Sequence, residues 1–468
     1  MPEPEAVPVT AVRQVEIAIV GAGIAGIATA YYLCTRFGRR SVLLIDPRAP
    51  MSYTSAQSGD NYRNWWPQPV MTAFTDHSID LMEELARSTG NVFHMRRRGY
   101  LLATRRRDID ELLADLRSGY GGAAERLIRT RAAASKDYLA SLKPDWTAAP
   151  DGVDILTDRS MIGSAFPALA GDFRNVIHIR RAGDIDSQQL GMHMLQEIRQ
   201  AGAARMNGRV SAISRHRGFD LEIDSSTGPQ RVYADVLIDA GGPFAGRVAT
   251  MLGTELPLHN VFQQKIAFED SRAAVPRDLP FTVDLDEIGF DWPEDVAGML
   301  AEDPERAWLT GRLPGGRHCR PEGGAGGNWV KLGWAFNNMS SEPQDDLANE
   351  PRLDTQFAEI VLRATARMLP ALSPYVDVPP ARYSHYGGYY TMTEENWPLI
   401  GPLGVDGAFA VAGLSGFGSM AACAAGFTCA AWACGAPLPF YARDLSLQRY
   451  ADAESLQALR ASARKGVL

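Results

Sequence analysis

Cysteine is scarce in this chain. The five present (Cys34, Cys319, Cys423, Cys429 and Cys434) are odd in number and form no C-x-x-C pair. That argues against a disulfide framework and a cysteine-built zinc site, no metal is expected, and a reducing, cytoplasmic compartment fits. Excess positive charge is also missing. A formal net charge of −8 does not supply the positive surface that phosphate backbones need, which argues against a general nucleic-acid binder. Two arginine runs, Arg96–Arg98 and Arg105–Arg107, flank Tyr100-Leu101-Leu102 and read as the solvated ends of a short strand. No internal repeat or low-complexity tract is visible. No secretory leader is expected, because the first apolar run, Ile17 to Ala30, follows acidic residues and carries patterned glycines. The one long uncharged run, Ala408 to Pro437, is rich in glycine and alanine. It reads as a buried strand–turn–helix rather than a membrane span.

What is present is an ordinary globular balance, 46% hydrophobic and 22% charged, over 468 residues. That length predicts two closely joined domains. After a proline-rich extension (1–13), a strand is expected over Val15–Val20, a helix over Gly23–Phe37 and a strand over Ser41–Ile45 ending at Asp46, a βαβ opening. Residues 51–70 read as irregular. Residues 71–89, 109–142 (broken near Gly119-Gly121-Gly122), 190–201 and 352–369 read as helical. Strands are expected over 210–213, 219–223 and 232–238. Leu313 to Gly327, rich in glycine and with two prolines, reads as a mobile surface loop.

The most specific motif is Gly21-Ala22-Gly23-Ile24-Ala25-Gly26, which follows a strand and opens a helix. Gly21 permits the tight turn, Gly23 lets backbone amides approach a pyrophosphate, and Gly26 allows close helix–strand packing. Asp46 is placed to accept hydrogen bonds from an adenosine ribose. The motif alone does not separate FAD from NAD. A second strand runs into Ala240-Gly241-Gly242, where a turn passes close to a dinucleotide. Gly413, Ser415, Gly416, Phe417 and Gly418 lead into a further helix whose positive end would face a flavin pyrimidine ring.

With these segments in hand, the chain resembles the D-amino-acid oxidase/sarcosine oxidase superfamily of FAD enzymes over about residues 15–435. The matching pieces are the opening fingerprint, the Ala240-Gly241-Gly242 turn, Thr393-Glu394-Glu395 before Pro398-Leu399-Ile400-Gly401, and the Gly413–Gly418 segment. The resemblance implies an α/β fold. A discontinuous Rossmann-type FAD domain (14–90, 180–255 and 385–468) is interleaved with a mixed-sheet α+β substrate domain (91–179 and 256–384). Ser58 and Val210 join Gly21, Gly23, Ile24, Ala25, Gly26, Asp46, Ala240, Gly241 and the Gly413–Gly418 residues as expected FAD contacts. Asn328-Trp-Val-Lys331-Leu-Gly-Trp334 resembles the strand of monomeric sarcosine oxidases whose lysine activates oxygen, a role a fixed positive charge near the flavin can fill.

The departures are informative. Gly388 stands where covalent members carry the flavin-linking cysteine, so FAD is expected to be non-covalent. Met420, Tyr390 and Ala335 stand where relatives carry a lysine, an arginine and a histidine at the active site. Within Ser58-Gly59-Asp60-Asn61-Tyr62-Arg63-Asn64-Trp65-Trp66, Arg63 is the candidate contact for flavin or substrate carboxylate, and Tyr390 is expected at the flavin face. His77 reads as structural. The expected activity is oxidation of an amine or amino acid at the C–N bond, with a small-molecule substrate and molecular oxygen reduced to hydrogen peroxide. The alternatives are a dehydrogenase of an amine or hydroxy acid serving a quinone or protein acceptor, and a non-catalytic flavoprotein subunit. The oligomeric state is open.

Overall fold

A computed structural model describes residues 12–461 apart from 132–137, 141–146, 148, 305, 325, 338, 346 and 348–352. The extension at 1–13 therefore lies almost wholly outside the described residues. The chain builds two large sheets. In the first, β1 (Arg13–Val20) lies between β2 (Val42–Asp46) and β12 (Gln230–Asp239), all parallel, with β9 (Ala204–Asn207) parallel outside β2. The end of β12 also pairs in parallel with β19 (Ala408–Ala412), which β18 (Leu399–Pro402) flanks antiparallel. The hairpin β10 (Arg209–Arg215) and β11 (Phe219–Asp224) pairs antiparallel with the first half of β12. Chain order reverses at β1, so a crevice opens at the carboxyl ends of β1, β2 and β12.

Among the described residues the second sheet has nine strands. Their order is β17 (Tyr383–Met392), β13 (His259–Glu269), β16 (Trp329–Gly333), β15 (Arg317–Glu322), β14 (Phe281–Asp284), β4 (Tyr100–Thr104), β7 (Asn175–Ile179), β6 (Val153–Leu156) and β5 (Ile128–Arg131). A short antiparallel pair, β3 (Asn61–Arg63) and β8 (Ala182–Asp184), joins the two halves. The boundary expected at 384/385 falls inside a strand. Residues Tyr383 to Met392 all pair in register with Phe268 to His259, so the second sheet runs on to Met392.

Helix α1 (Ile24–Thr35), helix α2 (Pro69–Thr89) and the helix Gly418–Ala433 pack into one apolar core. The small residues of the uncharged run have a packing reason. A Cβ on Gly426 would lie 2.5 Å from the carbonyl carbon of Ala28 in α1, so only glycine allows that approach. Among the described residues, no helix is long and apolar enough to cross a membrane.

Three sequence expectations are corrected. The run Arg96–Arg98 is not a solvated strand end, whereas Arg106 and Arg107 of the second run are exposed. Arg97 and Arg98 are buried, Arg96 and Arg98 pair with Asp184, Arg97 with Glu83, and Arg105 with Asp172 and Asp284. The 109–142 stretch is helical over Asp110–Tyr120 and Ala124–Leu127, but Ile128–Arg131 forms the sheet edge β5. The segment 313–327 is not simply a loop, because its centre is β15, an interior strand. Its glycines shape the flanks, as with Gly315, where a Cβ would sit 2.2 Å from the Leu285 carbonyl oxygen. His77 donates to or accepts from Tyr441 at 2.6 Å, in keeping with a structural role.

Candidate active site

The Gly21–Gly26 turn is built as its sequence implies. Gly21 has φ +115°, and a Cβ there would lie 2.2 Å from the Ala240 carbonyl oxygen. A Cβ on Gly26 would lie 2.2 Å from the Gly21 carbonyl oxygen. Gly23 differs, because the nearest atom to its Cβ would be Ser55 Oγ at 3.1 Å, so its face is open to the groove. Asp46 braces the turn by accepting from Ala22 N–H and Arg48 N–H, each at 2.8 Å. Ser55 Oγ accepts from Ile24 N–H at 3.0 Å, an amide of the kind that binds anions at a helix start.

From this turn a groove of about 790 Å³ runs past Gly23, Ile24, Ala25 and Ser58, then Ala240, Gly242 and Pro243, to Gly413, Ser415, Gly416 and Gly418. Its lining carries one cation, Lys265, and no carboxylate. The helix Gly418–Ala433 starts at the groove without a side-chain cap, so its positive end faces the space. Gly388 lines the groove and offers no thiol. An open glycine face, uncapped helix amides and the absence of acid fit a long, doubly charged dinucleotide. Of the other expected contacts, Gly21, Gly26 and Asp46 build the turn without lining the groove, and Phe417 lines the neighbouring cavity. Two more are placed elsewhere. Gly241 gives its N–H to Asp239 at 2.9 Å, and Val210 is buried in the apolar layer with Val15, Leu43 and Ile45. Asp239 is wholly buried, its second oxygen has no hydrogen-bond partner, and burial pushes its pKa up to about 7.

A second cavity, about 620 Å³, adjoins the groove and shares Ser58, Gly59, Lys265, Tyr390, Ser415, Gly416 and Ser419 with it. Arg63 lines it, 1% exposed, with Nε given to the Trp65 carbonyl at 3.1 Å and its guanidinium 4.4 Å from the Trp66 ring and 5.6 Å from Tyr100. Burial lowers its pKa, and Tyr100 opposes that. Trp66, Phe417 and Met420 line the cavity. Tyr390 faces the groove, this cavity and a third cleft of about 1700 Å³ that includes Ala335 and Trp65. A Cβ on Gly416 would lie 2.4 Å from the Tyr390 ring, so glycine is what seats that ring.

Lys331 stands just behind this wall. Its Nζ lies 3.1 Å from Glu322, 3.5 Å from Asp60 and 3.5 Å from the Ser58 carbonyl oxygen, and it is not among the residues lining either space. Sequence reasoning missed Lys265, Tyr100, Phe281, His318 and Asn396, each from a separate segment. His318 gives Nδ1–H to the Gly316 carbonyl at 3.0 Å, and burial lowers its pKa to about 4, so it is neutral at pH 7. Three residues lining this cavity, Asp60 (φ +58°), Asn396 (φ +58°) and Ser415 (φ +45°), hold left-handed backbone that non-glycine residues rarely adopt. Such strain concentrates at functional sites.

The family model for FAD dependent oxidoreductase (DAO) matches residues 16–432, and the chain belongs to that family. It is an FAD-dependent oxidoreductase. Three solved structures share the fold. L-proline dehydrogenase from P. horikoshii has TM-score 0.69 and 16% identity, covering 94% of this chain and 99% of that one. Glycine oxidase from Geobacillus kaustophilus has TM-score 0.66 and 18% identity, covering 93% and 99%. Iminodiacetate oxidase from Chelativorans sp. BNC1 has TM-score 0.62 and 19% identity, covering 92% and 98%. No curated protein matches the chain.

Proposed function

We propose that this protein oxidises an amino acid at the carbon bearing nitrogen, using non-covalent FAD and molecular oxygen. The carrying observation is the shared wall, because a cavity that opens directly onto the cofactor groove can present a substrate carbon to the flavin. Bound FAD supplies the hydride acceptor at N5. Arg63, buried and held by its two aromatic neighbours, offers a fixed positive end to a substrate carboxylate. Asn396 Oδ1 is buried without a hydrogen-bond partner and is the acceptor for the substrate nitrogen. The rings of Trp66, Tyr100, Phe281 and Phe417 exclude water around the carbon between them. The three similar structures bear the names of a proline dehydrogenase, a glycine oxidase and an iminodiacetate oxidase, in line with an amino-acid substrate. Anaerobic mixing of the yellow protein with a panel of amino acids, amines and hydroxy acids tests this. Bleaching by amino acids, followed by peroxide release on aeration, is expected. Bleaching by hydroxy acids or simple amines alone would overturn it.

A second reading keeps the substrate and changes the acceptor. Lys331, the charge that would assist oxygen, is held by both Glu322 and Asp60, which offset its field. That favours a dehydrogenase, and slow reoxidation in air with fast reoxidation by a quinone would establish it.

A further inference from the structure

Lysine is rare in this protein. Only Lys136, Lys143, Lys265, Lys331 and Lys465 occur in the whole chain, where arginine supplies most of the positive charge. One of these, Lys265, lines the site and another, Lys331, stands just behind its wall, and they are treated differently by their surroundings. Lys331 is answered by two carboxylates. Lys265, at the middle of β13, is 8% exposed, and among the described residues no carboxylate lies within 4.0 Å of its Nζ. Its neighbours are the Gln57 carbonyl oxygen at 3.4 Å and the face of Tyr390 at 5.2 Å. An ammonium carries three donors. A buried charge with a single long hydrogen bond is costly unless an anion completes it.

The anion is not supplied by the cofactor's phosphates, which belong at the Gly21–Gly23 turn. The pyrimidine end of a flavin already has the uncapped start of the helix Gly418–Ala433. What remains is the occupant of the cavity that Lys265 shares with Arg63. Asp60, the one carboxylate in that lining, is matched by Lys331 from behind. The cavity therefore presents two cations to its ligand.

We propose that Lys265 binds a second carboxylate, so that the preferred substrate is an amino or imino dicarboxylic acid. This rests on the amino-acid reading above, with Arg63 taking the first carboxylate and Asn396 the nitrogen between them. Tyr390, over which the Lys265 ammonium sits, sets how far the second carboxylate reaches.

The test is equilibrium binding to the flavin-loaded protein, read as perturbation of the flavin spectrum. Succinate and glutarate are compared with butyrate and valerate, matched in carbon number. The wild type is expected to bind the better dicarboxylate at least about 30-fold more tightly than its monocarboxylate partner, since losing a buried charge partner costs tens-fold or more in affinity. Lys265→Met, measured on its flavin-loaded fraction, should reduce that preference to within about threefold through loss of dicarboxylate rather than monocarboxylate affinity. Lys265→Arg should restore part of the preference, and Lys265→Gln serves if the methionine variant is unstable. Absence of a dicarboxylate preference in the wild type overturns the proposal, as does its persistence in Lys265→Met. A changed affinity for sulfite at the flavin, with the preference intact, would assign Lys265 to the cofactor and also overturn it. Anaerobic reduction by aspartate, glutamate and iminodiacetate against alanine, proline and sarcosine separates the two levels. Reduction by neutral amino acids with no preference removes only this inference. Selective dicarboxylate binding with no reduction by any amino acid removes the amino-acid reading and leaves Lys265 as the anion site.

Discussion

The proposed cofactor groove and the proposed substrate cavity share a wall, yet they are made of different material. The groove is largely a backbone surface, lined by glycines 23, 59, 242, 388, 413, 416 and 418. The cavity is a side-chain surface. Arg63, Tyr100, Lys265, Phe281, His318 and Tyr390 come from six different strands, far apart in sequence. A backbone surface tolerates change in everything except its glycines. A side-chain surface can be re-specified one residue at a time on the same scaffold, which is how one fold serves several substrates.

The comparison breaks most visibly at Gly23. A side chain there meets only Ser55 Oγ, so Gly23→Val should fold and lose its flavin. Gly26→Val should fail earlier, because its Cβ would press on the Gly21 carbonyl. Flavin absorbance per protein, set beside far-UV circular dichroism, distinguishes the two. A Gly23→Val protein with full flavin content would remove the groove assignment.

The same contrast decides what could be read from sequence. The groove was legible because glycine spacing encodes backbone geometry locally, and Gly21, Gly23 and Gly26 hold the positions their spacing implied. The cavity was not, because pairing across a sheet brings Lys265 opposite Tyr386 and Gly333, and no local pattern states that register. Strand β15 shows the difficulty. Arg317-His318-Cys319-Arg320-Pro321-Glu322 lacks the alternation of an interior strand. Its arginines are buried because Arg317 pairs with Asp284, and Arg320 with Asp184 and Glu322, and two of these three partners are distant in sequence. Arg96–Arg98 were misread for the same reason.

Beneath the groove, Asp239 sharpens the comparison by showing what a backbone-built site leaves uncompensated. Its pKa is raised by burial from 3.8 to about 7 in the folded protein. Between these values the folded state holds a proton that the unfolded state has released, so stability falls as pH rises from about 4 to about 7 and stays lower above. The shift of about three units corresponds to roughly 4 kcal/mol. Asp239→Asn keeps an oxygen for the Gly241 N–H and removes the charge. The variant should melt several degrees above wild type at pH 8, with the gap narrowing to little or nothing below about pH 4. Equal melting at pH 8 would show that water or a nearby shift already relieves the carboxyl.

On the cavity side, Lys331→Met tests whether a charge behind the wall reaches the flavin. Removing an electrostatic stabiliser aimed at developing charge typically costs hundred-fold or more. Because Glu322 and Asp60 offset this ammonium, a smaller loss is expected, roughly 30-fold or about 2 kcal/mol, in the reaction of reduced protein with oxygen. Anaerobic reduction by substrate should change much less. Stopped-flow measurement of the two half-reactions reads both. No change in reoxidation, with a slow wild type, favours the dehydrogenase reading.

The smallest effect is the finest probe, because at Asn396 the backbone and side-chain contributions coincide. The residue has φ +58°, and its Oδ1 is buried without a partner in the cavity. Asparagine tolerates left-handed backbone better than alanine, and glycine adopts it freely. Asn396→Ala should therefore lose about 1 kcal/mol of stability, while Asn396→Gly should lose less. Both variants remove the acceptor, so both should weaken amino-acid binding by a similar several-fold factor, about 1 kcal/mol for one neutral hydrogen bond. The two readouts then separate cleanly. Melting temperature distinguishes alanine from glycine, and the apparent dissociation constant in anaerobic reduction should not. If the glycine variant binds substrate as tightly as wild type, Oδ1 does not meet the substrate nitrogen. Asn396 would then belong with the groove glycines, as a residue chosen for its backbone alone.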